Sequence, residues 1–157
     1  MTDIRDGSRM HRRLIDALYS ESMLLADEAR AYFDEVGRSE RDGLDPFVRV
    51  GFSCESLKVT TRLMHVIAWL LTQRAIQAGE LDVDDALDPA RRLGAGPVTD
   101  RVLLESLPGR ARTLIDASMD LHRRVALLDV AQSLSDTEPS AVRSMHRRLA
   151  QSFWAAG

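Results

Sequence analysis

The sequence has few of the residues and patterns on which covalent, metal-based or membrane functions depend. Cys54 is the only cysteine among 157 residues, so neither an intramolecular disulfide nor a cysteine-based zinc site can be built within one chain. Lys58 is the only lysine, and 21 basic against 24 acidic side chains leave a formal net charge of −3. That balance offers no positive excess for a nucleic-acid backbone.

Long apolar runs are also missing. The longest strongly apolar run covers residues 66–71, which is far short of the ~20 residues needed to cross a bilayer. The N-terminus has no apolar run after a basic start, so it does not resemble a secretory signal. We therefore predict a cytoplasmic protein with no cofactor and no metal, which neither binds nucleic acid nor inserts into a membrane.

In most of the sequence, the apolar residues have the spacing that is typical of helices. Apolar residues recur in steps of three and four over three long stretches, which predicts helices at about 8–36, 46–78 and 99–134. A shorter pattern predicts a last helix at 139–153. Because no stretch alternates with the two-residue period of a strand, we predict an all-α fold in a single domain. Its architecture would be an elongated antiparallel three-helix bundle with a short C-terminal helix, and we expect this bundle to be dimeric.

Glycine and proline mark the predicted helix boundaries. Gly37 and Gly79 are expected to end the first and second helices, since glycine tolerates the left-handed conformation that follows a helix. Pro108 lies inside the third pattern and predicts a kink or a restart there. Ser135 and Glu138 have capping-box spacing and predict the start of the last helix.

The connection at 79–98 differs in composition from the helices around it. It contains five acidic residues together with prolines and glycines, so we predict at most a short helix at about 82–87. A connection of this length in a small domain is usually functional or mobile. We expect it to be the most mobile internal segment.

The second predicted helix carries two apolar sets. The first follows a heptad pattern, which is typical of helices that pack lengthwise, and consists of Phe47, Val50, Cys54, Leu57, Thr61, Met64, Ala68, Leu71, Ala75 and Ala78. Cys54 on this seam is interpreted as a small buried residue. The second set consists of Leu63, Val66, Ile67, Trp69 and Leu70. Because a helix that is apolar nearly all round must be covered on every side, we predict a homodimer with Leu63, Ile67 or Leu70 at the contact.

Charged residues form a ladder on the same helix. Glu55, Lys58 and Arg62 are spaced by three and four residues, so they share one face. This face is either a solvated, self-paired surface or a docking face for a client or a second chain. The full set of candidate partner or dimer surface residues is Glu55, Lys58, Arg62, Leu63, Ile67, Trp69 and Leu70.

No catalytic motif is present, so we predict that the protein is not an enzyme and has no catalytic residues. The four histidines form neither a helical zinc motif nor a Glu-x-x-His pair. His65 lies within the apolar part of the second helix, and we interpret it as a packed core or interface histidine. The alternatives are a phosphotransfer or other enzymatic bundle centred on His65, and a small-molecule sensor with a cleft between helices.

One block of sequence resembles a known family. Residues 55–64 read Glu-Ser-Leu-Lys-Val-Thr-Thr-Arg-Leu-Met and are followed by Trp-Leu-Leu at 69–71 and Gln-Arg-Ala at 73–75. This stretch resembles the signature of the RcdA family, the regulators of CtrA degradation, with supporting matches at 21–30 and 91–93. Members are small bacterial helical bundles that dimerise, and the best-known one delivers substrates, including the cell-cycle regulator CtrA, to the ClpXP protease. The resemblance implies a non-enzymatic adaptor or regulator whose partners are itself, protease-adaptor components and client proteins.

Overall fold

The chain folds into helices joined by short turns and one long connection. The computed structural model describes the backbone of residues 2–154 and the side chains of residues 4–135, 145, 148 and 149. The helices are α1 (Thr2–Ala31), α2 (Gly37–Asp42), α3 (Pro46–Gln77), α4 (Arg101–Glu105) and α5 (Gly109–Trp154). A π-helical turn, Tyr32–Val36, joins α1 to α2, and the connection contains two 3-10 turns, Val83–Leu87 and Pro89–Arg91. No strand occurs within residues 2–154, so the prediction of an all-α helical bundle is confirmed.

The chain clusters into two compact units, the first ending at Val125 and the second beginning at Ala126. In the first unit, α1, α3 and the beginning of α5 contribute the apolar core. Its buried side chains include Ile15, Leu18, Val59, Val66, Leu70, Leu114, Ile115 and Leu121. The second unit continues α5, where the side chain of Asp129 is buried and those of Leu127 and Leu134 are exposed. The division into one domain stays a prediction.

The first helix does not end at Gly37 as the sequence predicted. The chain passes from α1 through the π-helical turn into α2, so the predicted loop is helical as far as Asp42. Gly37 has a φ of −62°, which is ordinary helical backbone. A Cβ at this position would lie 2.7 Å from the backbone oxygen of Tyr32 and 3.3 Å from Cζ of Phe52. Glycine is therefore needed here for a close approach between backbone and ring, and it does not terminate the helix.

The end of α3 and the start of α5 agree with the sequence. Gly79 has a φ of +76°, the left-handed conformation, and follows the last helical residue by two positions. The amide of Glu80 donates to the carbonyl of Ala75 at 2.9 Å, which closes the helix end. Pro108 separates α4 from α5, because a proline cannot donate the helical hydrogen bond and disfavours a helical residue before it.

The end of α5 differs from the prediction of a separate helix at 139–153. α5 runs without a break from Gly109 to Trp154. The hydroxyl of Ser135 donates to the carbonyls of Ala131, at 2.9 Å, and Gln132, at 3.2 Å. It is thus bonded back into the preceding turn and does not cap a new helix. The apolar face expected on 139–153 lies mostly outside the described side chains.

The connection between α3 and α4 is docked against the bundle along part of its length. The short helix expected at 82–87 is present as the 3-10 turn Val83–Leu87, in which Ala86 is buried. The side chains of Asp82 and Asp85 form a capping box at its start. Further along, two side chains of α3 hold the carbonyls of Pro97 and Val98. These contacts fix the exit of the connection to α3, and its greater mobility relative to the other internal segments stays a prediction.

Candidate functional site

An exposed, mainly apolar stripe runs along α3, and its members are eight of the ten residues of the predicted heptad seam. We call it the α3 stripe and define it as Phe47, Val50, Cys54, Leu57, Thr61, Met64, Ala68 and Leu71. Phe47 is 83% exposed, Leu57 67% and Met64 65%. The interpretation of this seam as a packing face within the chain is therefore wrong for the single chain. An apolar face of this length that is left in water marks a site of interaction.

The opposite side of α3 is the buried one. Leu63, Trp69 and Leu70 are buried among the chain's own helices, and Ile67 is half-buried. The homodimer contact predicted at Leu63 or Leu70 is thus not available on a single folded chain. The part of α3 that the single chain leaves uncovered is the stripe, and a homodimer that covers it stays a prediction. A partner contact through Ile67 stays a prediction.

Cys54 lies on the α3 stripe and is exposed, so the prediction that it is buried is wrong. The structural reason is the same as for its neighbours, since the bundle covers the other face of α3. Among the described residues, no group of three or more His, Cys, Asp or Glu side chains is arranged to hold a metal ion. In the same part of the chain, no helix combines the length and the apolar character needed to span a membrane.

The charged ladder of α3 is buried, which contradicts its interpretation as a solvated face. Glu55 is 0% exposed, and its carboxylate accepts hydrogen bonds from Lys58 Nζ at 2.8 Å and from the hydroxyl of Thr99 at 2.7 Å. Lys58 Nζ also donates to the carbonyl of Val98 at 2.8 Å. Glu55 therefore has no surface with which to dock a partner. Lys58 is part-exposed, and its contact with a partner stays a prediction.

Arg62 completes this buried network and is only 1% exposed. Its Nη2 donates to the Thr99 hydroxyl at 2.6 Å and to the carbonyl of Pro97 at 2.9 Å, and its Nη1 donates to the Ser118 hydroxyl at 3.2 Å. Burial lowers the pKa of Arg62, and the nearby Glu55 carboxylate acts in the opposite direction. The Thr99 hydroxyl bridges the two charges, since it accepts from Arg62 and donates to Glu55.

We call this set, Glu55, Lys58, Arg62, Thr99 and Ser118, the Glu55–Arg62 network. It joins α3 to the exit of the connection and to α5, so its role is to fix these three segments together. Because Arg62 is buried, it is not available as one of the predicted partner-surface residues. The sequence did not identify Thr99 and Ser118 as its partners, because they lie 37 to 56 residues away along the chain.

A groove between α1 and α3 borders the stripe. Its volume is about 420 Å³, and it is lined by Ala26, Ala29, Arg30, Phe33, Asp34, Ser56, Leu57, Thr60, Leu63, Met64 and Ile67. Leu57 and Met64 belong to both the stripe and this α1–α3 groove. The two features therefore form one continuous surface, which is mainly apolar and has the charges of Arg30 and Asp34 at its edge.

A second groove lies on the other side of α3, against the connection. Its volume is about 300 Å³, and it is lined by His65, Ala68, Trp69, Thr72, Ala90, Arg91, Arg92 and Gly94. We call it the connection groove. His65 is exposed at its edge, so it is not a core histidine, and the alternative of an interface histidine stays a prediction. The polar neighbours of His65 come from the connection, which the local sequence of α3 does not reveal.

Comparison with known proteins agrees with this architecture. The family described as "Protein of unknown function (DUF1465)" matches residues 7–153. A search of functionally curated proteins finds no match. Among solved structures, the chain is similar to the crystal structure of RcdA from Caulobacter crescentus CB15, with 34% sequence identity and a TM-score of 0.63, over 76% of this chain and 90% of that one. The extent of these matches shows that the chain belongs to the RcdA family.

Proposed function

We propose that this protein is a non-enzymatic adaptor or regulator that binds other proteins, including a second copy of itself, through the α3 stripe. More specifically, we propose that it helps deliver regulators such as CtrA to the cytoplasmic ClpXP protease. Membership of the RcdA family supports the general role. The observation that carries the protein-binding part is the exposed row of large apolar side chains, among them Phe47, Leu57 and Met64.

The dimensions of the stripe suit a protein partner. From Phe47 to Leu71 it extends over 24 helical steps, which is about 36 Å at 1.5 Å per residue. With the adjoining α1–α3 groove, whose helices lie about 10 Å apart, the surface is about 20 Å wide. The product is roughly 700 Å² per chain, close to the ~800 Å² that each partner contributes to a standard interface.

A second copy is the occupant that these features support best. The stripe follows a heptad pattern, in which apolar residues at alternating steps of three and four pack against the same pattern on another helix. A two-fold symmetric pair would place one stripe against its equivalent, so that each chain covers the apolar face of the other. A client would then bind elsewhere on the dimer or compete for this face.

Light scattering at tens of micromolar tests the homodimer. Leu57 is 67% exposed on the stripe, and Leu24 is 71% exposed on α1 and does not line the groove, so Leu57→Glu and Leu24→Glu are matched substitutions. We expect the wild type and Leu24→Glu to have the mass of a dimer and Leu57→Glu that of a monomer. The proposal of a dimer through the stripe is wrong if the wild type is a monomer, or if Leu57→Glu remains a dimer.

Cys54 gives a second, independent readout of the same contact. It is exposed on the stripe, and no other cysteine exists in the chain. A short bismaleimide should therefore link two wild-type chains covalently and yield a product of twice the mass. Leu57→Glu should lower that yield to the level of random collision, whereas Leu24→Glu should leave it unchanged.

The adaptor role requires a reconstituted degradation assay with purified ClpXP and a candidate client such as CtrA. We expect the protein to accelerate client loss, and we expect Leu57→Glu to reduce that acceleration while Leu24→Glu retains it. If the wild type dimerises but leaves the degradation rate unchanged for every candidate client, the delivery proposal fails while the dimer proposal stands. If Leu57→Glu is monomeric and fully active, dimerisation is separate from delivery.

Histidine phosphotransfer is the second candidate, because His65 is exposed instead of packed and lies beside Arg91 and Arg92. An accessible imidazole can act as a nucleophile, and guanidinium groups beside it suit the binding of a phosphoryl group. Incubation with acetyl phosphate or a phosphorylated receiver domain, followed by mass spectrometry, separates the two candidates. Label on His65 that is lost in His65→Ala, with none on the exposed His11, would favour phosphotransfer over the adaptor.

A further inference from the structure

The connection groove has a lining that differs from the rest of the connection. Its walls carry Arg91, Arg92 and His65 together with the hydroxyl-bearing Thr72, and none of the residues that line it is acidic. The connection around it is acidic, and the whole chain has a formal net charge of −3. A concave site in which cationic side chains converge, on a chain that is negative overall, is suited to a negatively charged group.

The backbone of the connection holds the arginines in place. The carbonyl of Asp88 accepts hydrogen bonds from the amides of Arg91, at 2.8 Å, and Arg92, at 3.2 Å, while its carboxylate accepts one from Ala90 at 2.9 Å. The guanidinium of Arg91 is 4.0 Å from the Asp85 carboxylate, at the long limit for an ion pair, and it is part-exposed. Most donors of this guanidinium can therefore turn to a ligand.

One lining residue of the groove, Gly94, is held by a side chain of α5. Nε2 of His122 lies 3.1 Å from the carbonyl oxygen of Gly94, and the ring also lies against Gly96, where a Cβ would be 3.2 Å from two of its atoms. Burial lowers the pKa of the His122 imidazole, and the nearby His65 and Arg62 act in the same direction.

We propose that the connection groove binds a carboxylate of a protein partner, either an acidic side chain or a C-terminus. The guanidinium fork of Arg91 matches the two oxygens of a carboxylate, and the imidazole of His65 offers a further donor. Ala68, Trp69 and Ala90 make the remaining wall apolar, which suits the short hydrocarbon stem of such a group. This inference goes beyond the proposed function, because it can be measured on the purified chain whether or not any client is delivered.

Nuclear magnetic resonance on the full-length ¹⁵N-labelled protein tests the proposal with three short peptides at constant ionic strength. Acetyl-Ala-Ala-Ala with a free C-terminus and acetyl-Ala-Glu-Ala-amide each carry a carboxylate, and acetyl-Ala-Ala-Ala-amide carries none. We expect the Nε signals of Arg91 and Arg92 and the amide of Gly94 to shift with the first two and not with the third. Which of the two binds more tightly identifies the source of the carboxylate.

A matched pair of arginine variants separates a built site from general charge attraction. Arg91→Gln removes a guanidinium from the groove, and Arg101→Gln removes an exposed one from α4, outside it. We expect Arg91→Gln to weaken peptide binding about tenfold, as for the loss of one charge-assisted hydrogen bond, and Arg101→Gln to change it less than twofold. His65→Ala gives a second test if Arg91→Gln does not fold.

Four outcomes would overturn the proposal. The first is an equal response to the neutral amide peptide, and the second is an equal weakening by Arg91→Gln and Arg101→Gln. The third is the absence of any shift at Arg91, Arg92 and Gly94 at tens of millimolar peptide. Inorganic phosphate that binds more tightly than either carboxylate peptide would also count against a carboxylate site.

Discussion

The Glu55–Arg62 network allows a strong prediction, because one substitution should leave buried positive charge without compensation. Glu55 accepts bonds from Lys58 and Thr99, and it is the carboxylate whose charge acts on the buried Arg62. Glu55→Gln preserves the size of the side chain but removes its negative charge. Arg62, which is 1% exposed, would then remain in the core without the negative charge that offsets its own.

The expected magnitude follows from this burial. Removal of one partner from a buried, hydrogen-bonded charge pair costs about 3–5 kcal/mol of unfolding free energy. For a chain of 157 residues, 1 kcal/mol shifts the melting temperature by about 2–4 °C, so Glu55→Gln should lower it by roughly 6–20 °C. Thermal and urea denaturation followed by circular dichroism at 222 nm measure both quantities.

Glu21→Gln is the matched control, since Glu21 pairs with Arg124 across two helices but both side chains are substantially exposed. Solvent-exposed pairs contribute about 0–1 kcal/mol, so this variant should melt within about 4 °C of the wild type. Arg62→Met added to Glu55→Gln removes the uncompensated charge, and the double variant should lose less than the sum of the two single losses. A Glu55→Gln shift no larger than that of Glu21→Gln would refute the reasoning.

Three further predictions concern backbone positions and a histidine. Gly37→Ala should lower the unfolding free energy by about 1–3 kcal/mol, because its Cβ would meet the Tyr32 carbonyl oxygen at 2.7 Å, whereas Gly7→Ala, with no atom within 4 Å, should raise it by about 0.5–1 kcal/mol. Gly79→Ala should lower it by about 1–2 kcal/mol in urea denaturation, since φ there is +76°. The pKa of His122 is lowered in the folded state, so His122 favours folding above its ordinary pKa of about 6.5, and this stability is lost as the pH falls through the lowered folded value. The stability of the wild type should therefore decline more between pH 7.5 and 5 than that of His122→Gln, and parallel declines would contradict the assignment.

The fold class was predictable from sequence because helical periodicity, proline and positive-φ glycine are local signals. The buried row of α5, with Ala111, Leu114, Leu121 and Val125, follows the predicted spacing. Gly79 ended its helix as expected, because the left-handed conformation is a property of one residue. Gly37 did not end a helix, because its role depends on Phe52, a residue far along the chain that the local pattern cannot place.

The two faces of α3 were assigned in reverse, and the cause is physical. Both faces are apolar at helical spacing, and periodicity shows that a face avoids water without showing what covers it. The polar residues determine which face of α3 is buried. Glu55 and Arg62 can be buried because Thr99 and Ser118 form hydrogen bonds with them. Because those partners are 37 to 56 residues away in sequence, the spacing within α3 alone could not identify them.

The charged residues of the family signature and the residues that a partner would contact lie on different faces of α3. Glu55, Lys58 and Arg62, the charged residues of the signature helix, hold the connection and α5 against α3, so the signature reports how this bundle is built. The residues that alternate with them, such as Leu57 and Met64, face water on the α3 stripe. A substitution in the network should therefore act on folding and on every function at once. A substitution on the stripe should leave the melting temperature of the monomer nearly unchanged and act on association alone, which makes the stripe the place where partner choice can vary without loss of the fold.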